Sequence, residues 1–154
     1  VSINASDTVS LDNTASNGDA SAIVSIVRPQ STGGNGGNIS INTKALSLTN
    51  GGRVVALTMG RGSTGSVTIF ARDYVSLDGR GSDGEGSGVY NLVNPNGIGN
   101  SGGIRIITRT LSLTNKAQIN SSTSAMGDAG DVIITQVAGY KIQIYYFRRS
   151  PTPK

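Results

Sequence analysis

Apolar residues in this chain alternate with small polar ones over short stretches, then give way to glycine or asparagine. Val1-Ser2-Ile3 and Val9-Ser10-Leu11 open the pattern, and Ile39-Ser40-Ile41 and Leu46-Ser47-Leu48 continue it. A period of two puts successive side chains on opposite faces of an extended backbone, so each stretch predicts a strand with one buried face. The first set covers about 1–5, 8–12 and 22–27, and the second about 38–43, 45–49 and 53–59. Asn17-Gly18, Gly33-Gly34, Gly36-Gly37, Asn50-Gly51-Gly52, Asn96-Gly97 and Gly102-Gly103 fall between strands. These residues tolerate positive φ and form turns. No window carries a helical period of useful length.

The stretches recur. Val1-Ser2-Ile3 returns as Val67-Thr68-Ile69 and Val132-Ile133-Ile134, at offsets of 66 and 65 residues. Val9-Ser10-Leu11-Asp12 returns as Val75-Ser76-Leu77-Asp78, and Leu46-Ser47-Leu48-Thr49-Asn50 as Leu111-Ser112-Leu113-Thr114-Asn115. The offset falls from 66 to 65 between Pro29/Pro95 and Ile39/Ile104, inside a Gly/Asn loop where a deletion disturbs least. A weaker half-repeat lies within each unit, with starts at 1, 39, 67, 104 and 132. The predicted organisation is a repeat segment over 1–137, with units 1–66 and 67–131 and a third beginning at 132, followed by an irregular basic tail over 138–154.

One such turn has too few large apolar residues to offset the ordering of its backbone, about 1–2 kcal/mol per residue. Stacked turns solve this by placing equivalent residues over one another. Val1, Ile39, Val67, Ile104 and Val132 then make one buried column, and Ile3, Ile41, Ile69, Ile106 and Ile134 the next. Val9, Leu46, Val75 and Leu111 lie beside Leu11, Leu48, Leu77 and Leu113. On the third side Val54, Ala56 and Thr58 point inward, aligned with Ile119, Ser121 and Thr123, while Arg53, Val55 and Leu57 face outward with Asn120 and Ser122. Val24 and Ile26 match Tyr90 and Leu92. This side differs most between copies, so binding character can change there without disturbing the core. The predicted fold is all-β, a right-handed parallel β-helix (solenoid) of about four turns with three short strands each; the hand follows the rule for parallel crossovers. An antiparallel sandwich is the alternative, but its strands need not repeat near-identical words at a long period.

Composition is unlike that of an ordinary cytoplasmic enzyme. Charged residues are 14% and glycines number 22 among 154 residues, so the surface is Ser, Thr, Asn and Gly rather than ion pairs. The net charge of +4 lies entirely in Lys141, Arg148, Arg149 and Lys154, the remainder being neutral. A nucleic-acid surface needs clustered cations, so nucleic acid is not an expected partner. With no Cys there is neither disulfide nor thiolate chemistry, and with no His no imidazole base. No apolar run is long enough to span a membrane. The start at Val1, with no basic region and apolar run behind it, leads to the expectation that this is a piece of a longer product.

The ordered series Gly36-Gly37-Asn38-Ile39-Ser40-Ile41-Asn42-Thr43, Leu46-Ser47-Leu48-Thr49-Asn50-Gly51, Gly65-Ser66-Val67-Thr68-Ile69 and Val75-Ser76-Leu77-Asp78-Gly79 resembles the central repeats of filamentous-haemagglutinin-like exoproteins of two-partner secretion, in particular the long cyanobacterial arrays. The resemblance covers about 1–137. It implies a right-handed β-helix, neighbouring β-helix repeats, an outer-membrane transporter partner, and display outside the cell or at its surface. The tail departs from it: Ile142-Gln143-Ile144-Tyr145-Tyr146-Phe147 matches no repeat word, and reads either as the broken end of an array or as a strand shielding the last turn.

Candidate chemistry is sparse. Residues 60–65 and 79–84 both spell G-x-G-x-x-G, but a dinucleotide site needs those glycines to open a helix, and here they lead to strand or loop. Asp12 and Asp78 are expected two turns apart, about 10 Å, too far for a retaining glycosidase pair. Asp83 and Glu85 form the one compact acidic pair and read as a solvated loop. Gly33-Gly34-Asn35-Gly36-Gly37-Asn38 lacks the Asp of calcium-binding solenoid repeats. The sequons at Asn4, Asn38 and Asn120 arise readily in Ser/Thr/Asn-rich strands. No residue is assigned a catalytic, cofactor-binding or metal-binding role. The expected function is a structural and adhesive repeat, not an enzyme, with loops 13–21, 28–37, 79–88 and 94–103 along one exposed side for a cell-surface or glycan contact. The alternatives are a carbohydrate-binding or carbohydrate-cleaving β-helix and a self-associating matrix component.

Overall fold

The computed structural model describes residues 1–12, 20–138 and 141–147, with 138 and 141–147 as backbone only. The strands are β1 (Ser2–Asn4), β2 (Thr8–Asp12), β3 (Ala22–Val27), β4 (Ile39–Thr49), β5 (Arg53–Thr58), β6 (Val67–Asp78), β7 (Gly88–Val93), β8 (Ile104–Thr114), β9 (Gln118–Thr123), β10 (Val132–Ala138) and β11 (Lys141–Phe147). They form two sheets. The larger runs β1-β4-β6-β8-β10-β11, with β2 also paired to β4, and the smaller runs β3-β5-β7-β9. Every pairing is parallel except that of β11 with β10. The chain is therefore an all-β solenoid of repeated strand units in parallel sheets.

The register follows the repeated words, and each half-repeat, starting at 1, 39, 67, 104 or 132, is one structural unit of the stack. Ile39 lies opposite Val67, Val67 opposite Ile104, and Ile104 opposite Val132. Leu46, Val75 and Leu111 align likewise, as do Leu48, Leu77 and Leu113. On the small sheet Ile23, Val54, Val89 and Ile119 share one column, and Val24, Val55, Tyr90 and Asn120 the next. Val54, Ala56 and Thr58 are fully buried, as the alternation predicts.

Two of the predicted strands merge. The stretches expected at 38–43 and 45–49 run on as the single strand β4, with a register shift between Thr43 and Ala45 against β6. At that bend Thr43 Oγ1 donates to the carbonyl of Asp7 and to that of Ala45 at 3.1 Å, and Thr108 Oγ1 donates to the carbonyl of Thr110 at 3.2 Å. These bonds satisfy carbonyl groups at the kink, so the chain turns without leaving the sheet. Strand β6 carries Arg72 and Asp73 there, where β4 and β8 have one residue each, and the surplus is absorbed as a bulge.

The core lies between the sheets. Leu46, Leu48, Val67, Ile69, Val75 and Leu77 have no exposed surface. Each fully buried aliphatic side chain stabilises by about 1.5–3 kcal/mol. Ile3, Val9, Leu11 and Ile23 of the first unit are only partly buried. At the other end β11 enters in the opposite direction, and Leu113 is left 42% exposed. The inner columns are interrupted by polar residues, of which Asn91 makes the most bonds. Asn91 is fully buried and donates through Nδ2 to the carbonyls of Gly65 and Gly103, both at 2.9 Å, while its Oδ1 accepts from Thr64 and Ser101. With these bonds made, its burial costs little.

The corners are held by stacked glycines and asparagines. Gly34, Gly62, Gly99 and Gly127 all have positive φ and follow one another up the stack. A Cβ at Gly62 would strike the carbonyl oxygen of Gly34, and one at Gly127 that of Gly99. Beside them Asn35 Oδ1 accepts the Ser63 amide at 3.0 Å, and Asn100 Oδ1 that of Asp128 at 2.9 Å.

Candidate contact surface

The residues singled out for chemistry turn out to hold the stack together. In the G-x-G-x-x-G run at 60–65, Gly62 belongs to the corner ladder, Arg61 forms an isolated parallel bridge to Ile98, and strand β6 follows. In the second run, at 79–84, Arg80 bridges Gly86 and closes a small loop. In neither case do the glycines open a helix, so no helix amino terminus stands ready for a phosphate.

Asp12 and Asp78 occupy one column with Thr49 between them, as expected from the repeat. Each carboxylate bonds to its neighbouring unit. Asp12 accepts from Asn50 Nδ2 at 2.9 Å, and Asp78 from Thr114 Oγ1 at 2.6 Å and Asn115 Nδ2 at 2.7 Å. The bonds from Thr114 and Asn115 hold the Asp78 carboxyl below the usual carboxylate range. A general acid near neutral pH needs the opposite shift. In the run 33–38, Asn38 Oδ1 accepts the Ser66 amide at 2.9 Å, so it too serves the next unit. Among the described residues no group of three or more carboxylates could hold a metal ion.

Residues 82–85 are exposed, as the reading of a solvated loop has it, but the loop is also tied down. Asp83 forms an ion pair with Arg53 of the preceding unit and accepts the Glu85 amide at 3.0 Å. The Arg53 bond, then the Glu85 amide, hold the Asp83 carboxyl below its ordinary value. The loop folds back over the outer face of the small sheet and covers Tyr90, 6% exposed, whose hydroxyl donates to the Gly86 carbonyl at 2.8 Å. Burial pushes the Tyr90 phenol up from its ordinary value. Sequence spacing could not reveal this latch, because Arg53 and Asp83 lie in different units. The loops also do not share one side. Loop 79–88 precedes β7 and 94–103 follows it, so they sit at opposite ends of the small sheet, and 28–37 follows β3 as 94–103 follows β7. Positions 13–19 lie outside the described residues.

Two outward faces remain. On the small sheet Val24 and Ile26 are 40% and 45% exposed, and Val55, Leu57 and Leu92 are half-buried beside them. The strip becomes polar in the last unit, where Asn120 and Ser122 occupy the same columns. On the large sheet Asn4, Asn42 and Phe70 stand in one outward column. With Ala5, Ser6, Thr43 and Arg72 they line an open groove of about 540 Å³. Arg72 Nη2 donates to the Ser6 carbonyl at 3.3 Å, reaching across the intervening unit. Nothing in the sequence singles out this groove, because Asn4 and Phe70 become neighbours only through the stacking of three units.

Comparison with family models, with curated proteins and with solved structures gives no match. Among the described residues no helix is long and apolar enough to cross a membrane.

Proposed function

We propose that this chain is a structural and adhesive segment of a large secreted surface filament of the filamentous-haemagglutinin-like kind, wound as a right-handed parallel β-helix with three sides per turn. It performs no catalysis in this reading. Its partners are neighbouring repeats of the same kind and an outer-membrane transporter through which the filament reaches the cell surface. One observation supports this above the others: the residues with recognisable chemistry are used in bonds between units, while the outward columns vary and are free of duties in the core. A protein built this way has length and stiffness as its first property, since each added unit contacts only its neighbours.

The reading is tested by display of the repeat array on a cell that lacks it. Cells carrying the array adhere to a partner cell or surface, and replacing the outward side chains of the two sheets with serine lowers adhesion while leaving the β-rich circular dichroism unchanged. Equal adhesion with and without the array overturns it.

A further inference from the structure

We propose, building on the adhesive reading, that the groove on the outer face of the large sheet binds an acidic saccharide. Phe70 supplies the stacking platform, Asn4 and Asn42 the bonds to sugar hydroxyls, and Arg72 the contact with a carboxylate.

The groove breaks the repeat where the core does not require it. Asn4, Asn42, Phe70 and Ile107 occupy one outward column, and the aromatic ring appears only at Phe70. Phe70 is 41% exposed between Ile69 and Ala71, both fully buried. Tyr74, on the other side of Arg72, is also 41% exposed, and its register partners are Ala45 and Thr110. Both aromatics thus flank Arg72 in a single unit. Neighbouring strands stand about 4.8 Å apart, so Asn4, Asn42 and Phe70 span roughly 10 Å of flat sheet, room for two sugar rings laid across the strands.

The chemistry of the lining is selective. A pyranose offers an apolar C–H face to an aromatic ring, and its adjacent hydroxyls match an amide that both donates and accepts. The guanidinium of Arg72 has five N–H donors. One is used on Ser6, and Arg72 forms no ion pair with Asp73 or any other described carboxylate. A planar cation held at one donor presents its remaining edge to a carboxylate, which it can bind in two-point fashion. On the small sheet the outward cation, Arg53, is already paired with Asp83.

The full chain, titrated with oligogalacturonate and separately with a neutral maltooligosaccharide, tests this by amide chemical shifts. The acidic sugar gives saturable shifts at Asn4, Asn42, Phe70 and Arg72 and binds more tightly than the neutral one. Phe70→Asn installs the residue that the first two units already carry in that column, so folding is preserved; it weakens the acidic sugar about tenfold. Arg72→Ser, which copies the small polar residue of the first unit at Ser6, removes the preference for the acidic sugar. Absence of saturable binding, equal binding of the neutral sugar, or binding indifferent to both substitutions overturns the proposal. Adhesion that persists in the doubly substituted array means the groove is not the adhesive site while the adhesive reading stands. Sugar binding by a chain whose array does not adhere leaves the groove standing and sinks the adhesive reading.

Discussion

Thr58 is the residue at which this core is least well served. It is fully buried, and its hydroxyl has no hydrogen-bond partner. Its column is otherwise Val27, Val93 and Thr123, so the position already accepts valine in two units. An unsatisfied buried hydroxyl costs about 1–3 kcal/mol, so Thr58→Val raises the unfolding free energy by roughly 1 kcal/mol in a urea titration. Alternation alone places Thr58 inside, and does so correctly. It cannot show that no acceptor lies within reach, because the surrounding atoms come from the units on either side. Lys116 shows the same limit at a turn. It adopts φ 71°, where Gly51 of the other copy has φ 92°, a conformation its side chain disfavours.

At the level of the element, loop 79–88 is the feature whose behaviour the structure changes most. The Arg53–Asp83 pair latches it over Tyr90. Because the Asp83 pKa is lowered from 3.8 on folding, its contribution is present above that value and is lost as pH falls through the folded one. Asp83→Asn therefore gives a chain less stable at neutral pH whose stability falls less steeply in acid, read by unfolding across pH 2–6. Acrylamide quenches its tyrosine fluorescence more strongly, since the loop no longer shields Tyr90. A parent and variant with parallel pH profiles would show that the latch does not form. The strands themselves were far more legible. β3, β5 and β9 match the alternation closely, whereas β4, β6 and β8 each join two stretches, since threonine hydroxyls satisfy the kink in β4 and β8 and a bulge at Arg72 and Asp73 absorbs it in β6.

The whole molecule has two unequal ends. At the first unit, among the described residues, β1 and β2 pair with β4 and β3 with β5, and Ile3, Val9, Leu11 and Ile23 are partly buried. At the other, β11 pairs with all of β10, with Phe147 opposite Val132 and Tyr145 opposite Ile134. The free side of β10 is thereby paired along its whole length, and β11 becomes the last strand of the large sheet. Removing 139–154 is expected to expose β10 and drive concentration-dependent association, seen as a shift to heavier species in sedimentation velocity. A truncated chain that sediments as the parent does would mean that β11 protects nothing.

By itself the sequence determined the period, the faces of the strands and the columns of the core, because a stack of equivalent units must bring like residues over like and the repeated words say which those are. Only the tertiary structure decided the rest: that Asn91 is satisfied, that Arg53 holds Asp83, that Asn4, Asn42 and Phe70 share a groove, and that β11 reverses direction. Each of these joins residues from different units or ends the repeat. Contacts of that kind depend on how far side chains reach across neighbouring turns, which no spacing along the chain encodes.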